Sequence, residues 1–192
     1  EDENQLGAYD IAVIAKHLLQ DFPEVTKYTS KPTALFSNTQ IENPNLMLEG
    51  MPNYRSGVDG LRVSNSTKGG ITFAASTTQN GIHMITVVLG VEAVDGDPYA
   101  RFVATSSLMN YVVRTFVSSI VVKEGDPYGK SKATVMDGKS ETVLAVAKKD
   151  FYIVEKQGSQ AEPKIQFKSD QESFRAPVKS GTNLGKLHYT DR

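Results

Sequence analysis

Along "AYDIAVIAKHLLQDFPEV", residues 8–25, apolar side chains return every three or four positions. Ile11, Ile14, Ala15 and Leu18 fall at i, i+3, i+4 and i+7, the stripe of an amphipathic helix that packs on a sheet. Pro23 marks its end, because proline cannot donate to the helical ladder. Residues 29–56 then lose all periodicity. Asn, Ser and Pro recur there with only short apolar pieces between them, so the stretch reads as a long loop wrapping an adjacent site.

Two runs of strand character follow, "GITFAAST" and "GIHMITVVLGV", separated by "TQNG". Asn80-Gly81 can take the positive φ of a tight hairpin turn. The second run is nearly continuously apolar, which predicts a central strand covered on both faces. In "DGDPYARFVATSSLMNYVVRTF" the period returns to that of a helix. Asp97 suits the N-cap and Pro98 the first helical position, while Leu108, Met109, Val112, Val113 and Phe116 supply the buried face. Beyond Phe116 the chain holds short β-rich runs punctuated by Gly and Asp-Gly, with no helical stripe. The expected organisation is an α/β unit over residues 1–116 followed by a small all-β domain over residues 117–192.

Composition narrows the function. At 192 residues, with 39% hydrophobic and 22% charged residues, the chain can build a buried core and does not read as disordered. Lys plus Arg number 21 against 22 Asp plus Glu, so no net charge draws it to nucleic acid or to an anionic membrane surface. The longest apolar run, "MITVVLGVEAV", is too short to form a transmembrane segment. Cysteine is absent, which excludes disulfides and thiolate chemistry. His17, His83 and His188 are scattered without metal-ligand spacing, so neither a metal nor any other cofactor is expected. The opening "EDENQLGAYD" lacks the basic-then-apolar pattern of a signal peptide.

The order and spacing of the first helix, "NPNLML", "VDGL", "STKGG", "ITVVLG" and the helix from Arg101 resemble the low-molecular-mass penicillin-binding proteins of Gram-positive, streptococcal type. These are serine D-alanyl-D-alanine carboxypeptidases, and the β-rich tail is similar to their C-terminal β domain. The resemblance implies a penicillin-recognising α/β domain, an antiparallel sheet flanked by helices. It also implies a place outside the bacterial cell membrane or in the cell wall. The implied ligands are peptidoglycan stem peptides and β-lactams.

The family's strand after "VDGL" reads Lys-Thr-Gly; here Arg62, Val63 and Ser64 stand in those places, between Asp59-Gly60 and Lys68, Gly70. Arg62 keeps the groove's positive charge but cannot exchange a proton at any working pH. Val63 lacks the hydroxyl offered to the substrate carboxylate, a loss of about 1.5–3 kcal/mol in recognition. Ser64 adds a side chain where the substrate backbone lies close. Ser64 cannot replace the missing threonine, because alternation puts it on the face of Arg62 and opposite Val63. By the same resemblance the backbone N–H of Asn65 contributes to the oxyanion hole and Arg101 lies near the substrate carboxylate. An ordinary helix residue with an ion partner is the other reading of Arg101.

The family's nucleophile sits in Ser-x-x-Lys, assisted by Ser-x-Asn. Neither pattern occurs in the 192 residues, so no catalytic residue is assigned in this chain. In the family both lie upstream of the first helix, and the expected missing partner is that N-terminal segment. An amphipathic membrane-surface helix follows the family's β domain, and none is read before "HYTDR". "KSGT" at 179–182 imitates the strand motif but reads as a turn between short strands. Two functions result: part of an exported D-Ala-D-Ala carboxypeptidase, or a relative that binds at the wall without catalysis.

Overall fold

The computed structural model describes residues 5–66, 69–159 and 164–190. The chain divides into two compact units, Glu1–Val117 and Ser118–Arg192.

The first unit opens with helix α1, Ala8–Asp21, whose first turn is closed by Gly7 N–H donating to Asp10 Oδ2 at 2.9 Å. It buries Ala15 and Leu19, whereas Ile14 is 56% and Leu18 38% exposed. The buried stripe is thus rotated from the expected one. Residues 11–15, 18 and 19 make a wide apolar arc, and only the half holding Ala15 and Leu19 lies against the sheet. A short helix α2, Thr26–Thr29, follows.

The expected loop contains one hairpin, β1 (Thr33–Phe36) with β2 (Thr39–Glu42). Ser37 and Asn38 both take positive φ (46° and 66°), as a two-residue hairpin turn requires. All eight strand residues are exposed, so no buried face produced an alternation for the sequence pattern to reveal.

The sheet that carries the site has the order β3-β4-β5: β3 is Val58–Ser66, β4 Gly70–Gln79 and β5 Ile82–Val91, all antiparallel. Asn80 (φ 51°) and Gly81 (φ 74°) make the turn their sequence predicts. Among the described residues β4 is the central strand and β5 lies at an edge, against the expectation of a central β5. Its apolar run has another cause: α1 covers one face and helix α3, Ala100–Thr115, the other. The α3 side holds the main core, where Phe73 of β4 meets Phe102 of α3 edge to face at 5.4 Å. Met47, Leu48 and Met109 are fully buried in the same cluster, each worth about 1.5–3 kcal/mol of burial.

Helix α3 begins two residues later than expected. Asp97 caps through Oδ1, but it accepts from Tyr99 N–H (2.9 Å), and Tyr99 is the N-cap residue. Arg101, Phe102, Thr105 and Met109 are its buried residues, while Leu108 points outward at 42% exposure. The inward face therefore starts about two turns earlier than the apolar letters indicated, because it includes an arginine and a threonine.

The second unit is all strand: β6 (Phe116–Val122) pairs with β9 (Phe151–Lys156), and β7 (Lys132–Met136) lies between β8 (Thr142–Leu144) and β11 (Phe174–Arg175). β10 (Lys164–Ser169) pairs with β12 (Gly185–Thr190). Val122, Ala133, Ala145, Ile153, Ile165 and Phe174 are buried apolar side chains of this unit. "KSGT" forms a turn, with Thr182 Oγ1 donating to Lys179 O at 2.7 Å and Gly181 at φ 85°.

Candidate functional site

Among the described residues β3 is an edge strand, hydrogen-bonded to β4 on one side only, so its other edge is open. Register fixes which way its residues face. Arg62 pairs with Ala74 and Ser64 with Thr72, on the face of Ser76, His83 and Ile85 that α1 covers in part. Val63 pairs with Phe73 on the opposite face and packs against the α3-side core. Arg62 and Ser64 thus share a face and Val63 does not, which follows from strand alternation alone.

Arg62 is exposed, and its side chain makes no hydrogen bond or ion pair among the described residues. Asn65 is also exposed. Arg101 is the contrary case, an arginine only 5% exposed. It has no carboxylate partner among the described residues, so it is not a surface ion-pair residue. Its Nη1 donates to Ser64 O at 3.1 Å and to Thr72 O at 3.2 Å, and its Nη2 donates to Asn65 Oδ1. Burial lowers its pKa from the ordinary guanidinium value, yet arginine remains charged in any aqueous working range. The structure therefore brings Ser64, Asn65 and Arg101 together and leaves Arg62 reaching outward alone. Lys68, expected in the following turn, lies outside the described residues; Ser66 Oγ and Gly69 N–H, 2.8 Å apart, close the flanks of that turn.

Asparagine side chains set the entry to β3. Asn45 is fully buried: its Oδ1 accepts from Met47 N–H (3.0 Å) and its Nδ2 donates to Gly60 O (3.3 Å). Asn43 Nδ2 donates to Thr29 O (3.0 Å) and Lys31 O (3.1 Å), and its Oδ1 accepts from Asn45 N–H (3.0 Å). Thr29 Oγ1 completes the link by donating to Asp59 O at 2.7 Å. Pattern reading gave these residues no role; the Asn-Pro-Asn spacing, whose side chains readily bond nearby backbone, was the available signal. Arg55 was missed likewise. It bridges Asn110 Oδ1 (2.9 Å) and Gln79 Oε1 (2.8 Å), tying the loop before β3 to α3 and to the end of β4.

The site thus combines an edge strand, a buried arginine bound to two strands and an entry held by asparagine side chains. The D-alanyl-D-alanine carboxypeptidase family pattern matches residues 1–93, and the penicillin-binding protein 5 C-terminal domain matches residues 116–191. Between them the two matches run along most of the chain.

The chain is 28% identical to D-alanyl-D-alanine carboxypeptidase DacA of Haemophilus influenzae over 191 residues, 98% of this chain and 46% of that protein. Among solved structures it is similar to a peptidoglycan synthesis regulatory factor, PBP3 of Streptococcus pneumoniae. Identity is 44% and the TM-score 0.91, over 97% of this chain and 51% of that one. Penicillin-binding protein 5 of Haemophilus influenzae gives 26% identity and a TM-score of 0.64, over 99% of this chain and 53% of that one. The chain thus spans about half the length of these relatives, as a C-terminal portion. Its mixed α/β unit with an antiparallel sheet and its β-rich tail are the arrangement those relatives share.

Proposed function

We propose that this chain forms the strand side of an exported serine-type D-Ala-D-Ala carboxypeptidase that trims peptidoglycan stem peptides at the outer face of the bacterial membrane or in the wall. The nucleophile belongs to the N-terminal part of the relatives' length. There, a serine Oγ attacks the penultimate D-Ala carbonyl, the carbon–nitrogen bond breaks, and the departing D-Ala amine takes the proton. Water then hydrolyses the ester and restores the serine. β-Lactams react by the same attack and stop at the ester.

The observation that carries this reading is the open edge of β3, at which an extended peptide can add as a further strand. In that pose Asn65 N–H serves the oxyanion and Arg62 supplies the positive charge of the groove. A second reading, a wall-binding relative without catalysis, is favoured by Val63: its half-buried side chain packs against the α3-side core and carries no hydroxyl for a substrate carboxylate.

A fluorescent penicillin decides between the two. The chain alone should remain unlabelled, whereas mixing with the upstream segment, or expression as the complete protein, should give a covalent adduct. A complete protein that folds, binds an acyl-D-Ala-D-Ala peptide and forms no adduct would establish the non-catalytic reading instead.

A further inference from the structure

We infer that Arg101 is a positioning residue for the oxyanion contact, acting through the Ser64–Asn65 peptide plane. The inference rests on the proposed acyl transfer, in which Asn65 N–H faces the reacting carbonyl oxygen. Arg101 is buried, and its guanidinium bonds Ser64 O, Thr72 O and Asn65 Oδ1. Its Nη1 holds Ser64 O at 3.1 Å, and Thr72 Oγ1 donates to the same oxygen at 3.2 Å. Thr72 belongs to β4 and Arg101 to α3, so both hold that carbonyl on the inner side of β3.

Ser64 O and Asn65 N–H belong to one planar trans peptide unit, in which the C=O and N–H point in opposite directions. Fixing the oxygen inward therefore fixes the N–H outward, at the open edge. The second grip, Nη2 on Asn65 Oδ1, holds the side chain of the very residue whose N–H is presented. Such support is needed at this place: β3 has a neighbour on one side only and is one residue from its end at Ser66. The guanidinium also polarises the peptide, since a charged donor on the carbonyl strengthens the same unit's N–H as a donor. Arginine suits the task because its planar fork reaches Ser64 O, Thr72 O and Asn65 Oδ1 at once, which an ammonium could not.

The test uses the complete protein with Arg101→Gln, Arg101→Lys and Asn65→Ala. Stopped-flow penicillin acylation separates the first-order acylation step from the preceding non-covalent binding. Loss of one well-placed oxyanion donor lowers such a step by about 10²- to 10³-fold. Arg101→Gln should lower acylation in that range with binding changed less than about threefold, and Arg101→Lys should recover part of the loss. Asn65→Ala, which keeps the N–H and one grip, should fall between. Amide NMR gives the second readout: the Asn65 N–H resonance should move in Arg101→Gln more than those of Arg62 and Val63. Binding and acylation falling in step, or an unmoved Asn65 amide, would overturn the inference. If wild type is not acylated, the acyl-transfer reading fails first, and the Asn65 amide still decides whether Arg101 sets that plane.

Discussion

Thr29 Oγ1 occupies the space where a Cβ on Gly60 would stand, at 2.6 Å from that position. The same oxygen donates to Asp59 O at 2.7 Å, so the contact is part of the joint between α2 and β3. Gly60→Ala forces this joint apart and should destabilise the first unit by about 1–3 kcal/mol, as overpacking does. Urea denaturation of the purified chain measures it. Combined with Thr29→Ala, the loss should be less than the sum of the two single losses, because the variants share one contact.

Asn45 holds the next carbonyl along the strand, Gly60 O, and is fully buried with both ends of its amide engaged. Asn45→Ala leaves Gly60 O and Met47 N–H without those partners inside the core. A cost of about 1–3 kcal/mol follows for each buried group left unsatisfied. The denaturation midpoint should fall with an unchanged m-value. Asn45→Asp should cost more than Asn45→Ala near neutral pH, since a carboxylate in that place can give no hydrogen to Gly60 O.

Val63 sits on the core-facing side of β3 opposite Phe73, one residue from the exposed Arg62. Val63→Thr keeps the shape and adds the hydroxyl that the family offers to the substrate carboxylate. In the complete protein it should raise acylation efficiency toward carboxylate-bearing substrates by about 10- to 100-fold, the equivalent of a 1.5–3 kcal/mol bond to a charged group. Stability should fall slightly, because the hydroxyl enters a partly apolar place. Comparing kcat/KM for free-acid and amidated peptides checks the assignment, since the gain should be confined to the free acid.

The β4-β5 hairpin and both long helices were legible because their signals are local: a turn at Asn80-Gly81 and a 3.6 period. The failures share one cause. Ile14 and Leu18 look buried by period, but which half of a wide apolar arc is covered depends on packing. Arg101 looks solvent-facing by type, yet its guanidinium is covered because Ser64 O, Thr72 O and Asn65 Oδ1 replace water. Asn43 and Asn45 were visible only as loop composition, since their partners lie up to 15 residues away and emerge from the tertiary fold. The strand's alternation, by contrast, placed Arg62, Val63 and Ser64 on their faces without further information.

In the second unit, the Glu124 backbone N–H donates to Asp150 Oδ1 at 2.8 Å and the Tyr152 hydroxyl to Oδ2 at 3.0 Å. These bonds, with a smaller contribution from Lys123, hold the Asp150 carboxyl below its ordinary range, while Asp150 holds the Tyr152 phenol above its own. A depressed carboxyl stabilises the fold above the unfolded value of about 3.9 and loses that contribution as pH falls through the lower folded value. A raised phenol contributes below about 10 and loses its share as pH rises through the higher folded value. The stability advantage of wild type over Asp150→Ala should therefore be flat near neutral pH and shrink at both extremes. An advantage independent of pH would show that these bonds contribute nothing.

Helix α1 keeps Ile14 56% and Phe22 57% exposed, with Leu18 at 38% on the same outward side as Ile14. One turn of helix separates Ile14 from Leu18, so they form a continuous apolar strip. The relatives are about twice as long as this chain, and the prediction is that an upstream segment closes on this strip. Ile14→Ser with Leu18→Ser should then behave oppositely in two settings. In the 192-residue chain, where these side chains face water, the pair should change stability by less than about 0.5 kcal/mol and improve solubility. In the complete protein each substitution should cost about 1–3 kcal/mol, because each removes an apolar side chain from a covered face. Matching losses in both settings would mean that nothing closes on this side of α1, and the upstream segment must then meet the sheet elsewhere.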